Sequence, residues 1–243
     1  MPQSEYGVIE VWDDFLAPPD GLGATLGTGT LRAGNLGYVS HEEGTFAWTV
    51  DEPGGILSIV TDTGDDDNAV LIAGTFRPTD GGVIMEARFK QSNITTSAIY
   101  CGFTETLSLT DPVMPAEFAT ATMTYNGSGG MVGLLWDKDA STRRWKALAG
   151  DGGSVSSNAS AEGEDDNASG DAVNDEWEIV RVEIGPDATA RIYHDEILID
   201  TIASAINAED KFYAVLMIEN RSAAANTLEV DYFHARGYRD WSV

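Results

Sequence analysis

A chain of 243 residues with 42% hydrophobic content is long enough for one large domain, and 26 glycines with 8 prolines suit many short strands joined by turns. A net charge of −26, from 40 acidic and 14 basic residues, repels phosphate backbones and anionic lipid, so neither nucleic acid nor a membrane is an expected partner. The single cysteine, Cys101, excludes an internal disulfide, and no apolar stretch reaches the length of a membrane-spanning helix.

Met1 to Tyr6 has neither the basic region nor the apolar run of a secretory signal. Val8-Ile9-Glu10-Val11-Trp12 alternates as a first strand and leads into Asp13-Asp14-Phe15. Leu16 to Asn35 is rich in Gly, Thr and Pro without periodicity, which predicts an extended arm or long loop. Thr45 to Val50 and Gly55 to Val60 flank Pro53-Gly54 and predict a hairpin. Asp62 to Asn68 is an acidic loop. Strands are then expected over Ala69 to Phe76 and Gly82 to Lys90, the latter with Val83, Met85, Ala87 and Phe89 on one face and Ile84, Glu86, Arg88 and Lys90 on the other.

Ser97 to Thr104 is an apolar strand in which Cys101 reads as a buried structural thiol. Strand patterns continue over Ala119 to Tyr125, Met131 to Trp136 and Arg144 to Leu148. Gly150 to Asp175 is an acidic Gly/Ser/Asn/Asp stretch that predicts a long exposed loop. Trp177 to Ile184 alternates again, with Trp177 expected in the core, and Gly185-Pro186-Asp187 turns the chain into Ala190 to Tyr193. Glu196 to Ile202 and Leu228 to Phe233 complete the series. Helical signals are confined to single turns at Met114 to Phe118 and Ala203 to Ala208. About a dozen strands with no linker between two cores predict one all-β sandwich or jelly roll.

In their order, these segments resemble the concanavalin-like and laminin-G-like jelly rolls. The carriers are Val11 to Phe15 as opening strand, Gly82 to Lys90 and Tyr100 to Glu105 as inner strands, Trp177 to Ile202 as late hairpin and Leu228 to Phe233 as closing strand. The resemblance implies two antiparallel sheets over 37–236, an extended N-terminal arm and first strand over 1–36, a tail over 237–243, and pairing of the first strand with the last. It also implies glycan binding or glycan cleavage as uses of the scaffold. Laminarinase-type members carry Glu-x-Asp-x-Glu or Glu-x-Asp-x-x-Glu on one strand, so that two carboxylates share a face. That spacing is missing here: Glu10 with Asp13 and Asp14, Glu176 with Glu178, and Glu229 with Asp231 all fail to complete it.

The acidic surface and the Gly/Pro/Thr-rich arm are also similar to virion proteins of tailed bacteriophages. The first expectation is therefore a non-enzymatic capsid decoration or cement protein, placed in the virion and assembled in the host cytoplasm. Its arm, Pro2 to Asn35, and its tail, Arg236 to Val243, would contact the major capsid protein or other virion subunits and further copies of itself, as a trimer. The alternative is a carbohydrate-binding, lectin-like module or adhesin, and the third reading is a glycosidase with a degenerate site.

Candidate contacts follow from composition. Trp136 and Trp145 bracket a polar hairpin tip with Arg143 and Arg144, a binding edge for a partner or a glycan if the indoles are not in the core. Tyr238 and Trp241 belong to an aromatic-basic tail suited to docking. Asp65, Asp66, Asp67 and Asn68 are either Ca²⁺ ligands or a solvated acidic turn. His41, His194 and His234 share no metal spacing and read as surface or turn residues. Five Asn-x-Ser/Thr triplets, from Asn93 to Asn220, are read as chance.

Overall fold

The computed structural model describes residues 7–16, 25–26, 29–33, 36–40, 44–49, 54–108, 112–120, 122–127, 129–151, 154–155, 168–169 and 171–238. In chain order the strands are β1 (Val8–Asp13), β2 (Thr25–Leu26), β3 (Gly29–Ala33), β4 (Leu36–Ser40), β5 (Thr45–Thr49), β6 (Ile56–Val60) and β7 (Asn68–Phe76). After a 3₁₀ turn at Pro78–Asp80 come β8 (Val83–Gln91), β9 (Ser97–Thr104), β10 (Ala116–Ala119), β11 (Thr122–Tyr125), β12 (Met131–Asp137) and β13 (Trp145–Asp151). The last are β14 (Ser154–Val155), β15 (Ala168–Ser169), β16 (Glu178–Ile184), β17 (Ala190–His194), β18 (Ile197–Ile202), β19 (Phe212–Asn220) and β20 (Thr227–Tyr238).

Two nine-stranded antiparallel sheets face each other. The terminal sheet runs β18-β17-β16-β8-β20-β6-β5-β2, and β1 pairs with β20. The second sheet runs β14-β13-β12-β9-β19-β7-β4-β3, and β15 pairs with β13. First and last strands pair as expected, from Val8 opposite Tyr238 to Asp13 opposite Phe233. β20 continues to Tyr238, so the tail expected from 237 starts inside the sheet, and Trp241 lies outside the described residues. The described parts of the N-terminal arm are edge strands: β2 pairs with β5, and β3 pairs with β4. Within 150–175, β14 and β15 pair with β13, and most of the remainder lies outside the described residues.

The core fills the space between the sheets. Phe46, Leu57, Phe89, Val180 and Phe233 point in from the terminal sheet, and Leu71, Ile99, Cys101, Phe103 and Leu216 from the other. Each fully buried side chain of this size contributes roughly 1.5–3 kcal/mol. The Cys101 thiol is buried and held well above the ordinary thiol range by burial, which suits a packing role.

The second sheet is apolar on its outer face as well. Val70, Ile72, Tyr100, Leu135, Val215 and Met217 form a second buried cluster there, beneath Met114, Ala116 and Phe118. The cover is the β10–β11 hairpin, which the sequence divides differently, into a helical turn and one strand. Its turn residue Thr120 has φ 60°, a left-handed position without the usual Gly or Asn signal. Tyr100 belongs to this layer. Its hydroxyl donates to Phe103 O at 2.8 Å, and its ring crosses Gly133, where a Cβ would come 2.7 Å from the ring.

At one rim a buried amide network joins three loops. Asn220 Oδ1 accepts from Thr61 Oγ1 at 2.6 Å and from Asn226 Nδ2 at 2.7 Å, while Asn220 Nδ2 donates to Asp62 O and Gly64 O. Asn220 is fully buried, so its Asn-x-Ser triplet is inaccessible in the folded chain.

Candidate functional site

The two indoles proposed as a binding edge are in the core. Trp136 is 1% exposed and Trp145 is 0% exposed, with ring centroids 6.1 Å apart between the sheets. All seven residues of β12 are buried because the hairpin covers the outer face, so no side of that strand is free to present an aromatic ring. Arg143 and Arg144 do sit at the tip between β12 and β13, Arg143 exposed and Arg144 half-buried. Trp177, expected inside, is half-buried on the outer face of the terminal sheet, with Arg88 at 4.6 Å and Lys90 at 4.9 Å from its ring. Glu178 takes the inward position instead, and His194, expected at the surface, is buried beside it.

The four residues Asp65 to Asn68 do not converge on one point. Asp67 Oδ2 accepts from Gly64 N at 2.6 Å, Asn68 Nδ2 donates to Pro112 O at 2.5 Å, and Asp65 and Asp66 are exposed. Asp66 instead joins Glu117 and Glu219, whose carboxylate oxygens all lie within 4.8 Å of one another. The space between those three is occupied by the guanidinium of Arg221. One of its amino groups is 2.6 Å from Glu117 Oε2, 3.1 Å from Glu219 Oε1 and 3.6 Å from Asp66 Oδ1. Its Nε lies 3.4 Å from both Asp137 Oδ1 and Asp139 Oδ2.

An acidic group able to attract a cation is therefore present, and the cation it holds is this chain's own. Burial pushes Glu219 up to about 8 despite Arg221, and raises Asp137. The nest also fastens the hairpin, since Arg221 donates to Phe118 O at 2.9 Å and Phe118 N donates to Asp137 Oδ2 at 2.7 Å. Glu105, Asp151 and Asp210 form a second, half-buried carboxylate group.

Among the described residues, the outer face of the terminal sheet is left uncovered, and period-two alternation sends one side chain in two outward there. Register aligns these side chains in rows across five strands. One row is Tyr193, Arg181, Glu86, His234 and Trp12, and the next is Arg191, Glu183, Ile84, Arg236 and Glu10. Charges alternate along them and pair. Arg181 lies 3.1 Å from Glu183 and 3.8 Å from Glu86, Lys90 lies 2.7 Å from Glu229, and Arg88 pairs with Asp231.

At the β1 end the rows finish in aromatics. Trp12 is 57% exposed and stacks on Tyr232, with centroids 5.2 Å apart and planes 11° apart, and His234 is tilted against it at the same distance. The platform is fixed from behind. Tyr232 donates to Glu86 Oε1 at 2.7 Å, and His234 Nε2 lies 3.0 Å from Glu10 Oε1. Burial and the Glu86 carboxylate both raise the Tyr232 phenol, which stays protonated as the donor. A bulge between Val230 and Tyr232 places Asp231 and Tyr232 together on this side. The result is a rigid, wet aromatic surface ringed by carboxylates, guanidiniums and an imidazole, which suits a ligand with one apolar face and many hydroxyls.

The sequence held one signal for this platform. Alternation over Val8–Asp13 puts Glu10 and Trp12 on one side and Val11 on the other, and Val11 is the buried member. What it lacked was Tyr232 and His234, brought alongside from the far end of the chain.

No protein-family model matches the chain, and no curated protein sequence matches it. Solved structures do. The carbohydrate recognition domain of Emp46p in its potassium-bound form is similar at 12% identity and TM-score 0.52, over 82% of this chain and 87% of that one. The cellulose-induced protein Cip1 is similar at 13% identity and TM-score 0.53, over 93% and 96%. A protein of unknown function from Shewanella oneidensis MR-1 is similar at 15% identity and TM-score 0.55, over 98% and 90%. At these identities the likeness is one of fold. The chain folds as a concanavalin-like jelly-roll β-sandwich of two antiparallel sheets, the architecture of these neighbours.

Proposed function

We propose that this chain is a carbohydrate-binding, lectin-like module that holds a glycan on the open face of the terminal sheet without cleaving it. The observation that carries the reading is the exposed Trp12 stacked on Tyr232, amid polar groups already fixed by hydrogen bonds. A pyranose ring has a C–H face that packs on an indole and hydroxyls that need donors and acceptors at its edge. Preorganisation of the aromatic pair limits the ordering cost of binding. Fold likeness to a carbohydrate recognition domain agrees with the reading at the level of architecture.

Absence of cleavage is part of the proposal. The carboxylates best placed on this face are already engaged, Glu86 by Tyr232 and Arg181, and Asp231 by Arg88. On the second sheet the hairpin covers the outer face, and Arg221 holds the acids beside it. The virion-assembly expectation gains no support from the fold, because the described arm segments are edge strands of the molecule's own sheets.

The test is a glycan array probed with the full chain and with Trp12→Ala. Saturable binding that weakens by about fivefold or more in the variant is expected, because the aromatic contact is worth on the order of 1 kcal/mol or more. Equal binding by the two proteins would overturn the site, and no binding to any glycan by the native chain would overturn the function.

A further inference from the structure

The terminal sheet's outer face carries five of the chain's 14 basic residues: Arg88, Lys90, Arg181, Arg191 and Arg236. Three of them have carboxylate partners. Arg191 and Arg236 have none among the described residues, although this is a chain with 40 acids. The acids that register sets opposite them are engaged elsewhere. Glu183, opposite Arg191, lies 3.1 Å from Arg181 Nε, and Glu10, opposite Arg236, is taken by His234 at 3.0 Å. Asp187, in the turn before Arg191, feels its charge, but its oxygens accept from the Thr189 amide and hydroxyl. Arg236 Nε is buried without a hydrogen-bond acceptor among the described residues. A buried guanidinium nitrogen left without an acceptor in so acidic a molecule is an unmet demand for an anion.

Both arginines border one groove of about 210 Å³, walled by Tyr238 and floored by Ile84 and Gly82. Gly81 permits the wall, since a Cβ there would meet the Tyr238 ring at 2.8 Å, and the Arg236 guanidinium lies 5.8 Å from the same ring. The arginines stand three strand spacings apart, about 14 Å between backbones, and both line the groove. Its volume is below that of pockets that enclose a whole drug-sized ligand, which run from about 300 Å³. It fits one substituted unit of a longer chain. Glu10 and Arg236 lie one row along β1 and β20 from Trp12 and His234, about 7 Å away, so one ligand can lie on the indole and enter the groove.

We infer that this groove reads the anionic substituent, a carboxylate or a sulfate ester, of an acidic glycan whose neighbouring unit stacks on Trp12. The inference rests on the glycan-binding reading and adds its substrate class. The net charge of −26 does not prevent it. At physiological ionic strength the Debye length is about 8 Å, so distant acids are screened while a guanidinium in contact with the anion is not. A guanidinium fork can engage two oxygens of a carboxylate or of a tetrahedral sulfate ester at once, which a lysine would not supply.

The experiment measures binding of the full chain to three oligosaccharides of matched length by calorimetry: a neutral one, one carrying uronic acids and one carrying sulfate esters. The native chain is expected to bind at least one acidic series about tenfold more tightly than the neutral one, as for one charge-assisted contact of about 1.4 kcal/mol. The double variant Arg191→Gln/Arg236→Gln, with its fold checked by circular dichroism, should lose that preference. The series that shows the preference identifies carboxylate or sulfate. Equal affinity for all three series, or a preference that survives in the double variant, overturns the inference and leaves the glycan reading standing. Failure of every series to bind overturns both.

Discussion

Replacing Arg221 with Met is expected to lower stability by about 3–5 kcal/mol at neutral pH, the cost of leaving buried charges without their partner. Five carboxylates face this one guanidinium; Asp137 is buried, and Glu219, also buried, is largely protonated at neutral pH because burial pushes it up to about 8. The substitution also removes the donor to Phe118 O, so the β10–β11 hairpin loses its tie to β19. Arg221→Lys should fall between, because an ammonium keeps the charge but not the fork that spans Glu117, Asp137 and Phe118 at once. Urea unfolding measures the effect. The loss in Arg221→Met should shrink toward pH 5, since protonation of the orphaned carboxyls removes their repulsion. An unchanged midpoint, or a deficit independent of pH, would show that the nest is not what holds the hairpin.

A second large effect is a stability that falls as pH rises from 6.5 to 8. Glu178 points into the sandwich at the start of β16, 4.0 Å from His194 Nε2 and near Trp145, and burial pushes its carboxyl up to about 8. In the unfolded chain it ionises near its ordinary value of 4.5. Between those values the folded state holds the proton and the unfolded state does not, so each pH unit costs about 1.4 kcal/mol. Burial lowers the pKa of His194, whose contribution has the opposite sign but is complete above its ordinary value of 6.5. From pH 6.5 to 8 the slope is thus the carboxyl's. Glu219 adds to it, so the informative quantity is the difference between the native chain and Glu178→Gln. The variant, which cannot ionise, should lose about 2 kcal/mol less across that window. Parallel slopes would mean that Glu178 is ionised in the folded protein.

Local pattern revealed much of the scaffold. Alternation in β8 placed Val83, Met85, Ala87 and Phe89 inward and Glu86, Arg88 and Lys90 outward, and the structure agrees. The pairing of the first strand with the last was also foreseen. Pattern failed where a strand is covered on both faces. In β12 every residue is buried, so nothing in its sequence separates a core tryptophan from a rim one, and Trp136 and Trp145 could not be assigned. Trp177 failed for a different reason: it precedes Glu178, an acid in an inward position that hydropathy would have given to the indole. The two charged assemblies were invisible because they are non-local. Arg221 gathers acids from four separate segments, and the Trp12 platform joins residues more than 200 positions apart in the chain.

On the proposed reading, the terminal sheet's outer face, and not the hairpin-covered sheet, receives the glycan. The most direct measurement is an NMR titration of the isotope-labelled full chain with the best ligand from the array, following backbone amides and the Trp12 indole N–H. Shifts should concentrate at Trp12, Glu86, Tyr232, His234 and Arg236. Shifts confined to Ala116–Tyr125 of the hairpin, or to the tip around Arg143, would place the ligand on the second sheet and contradict the account.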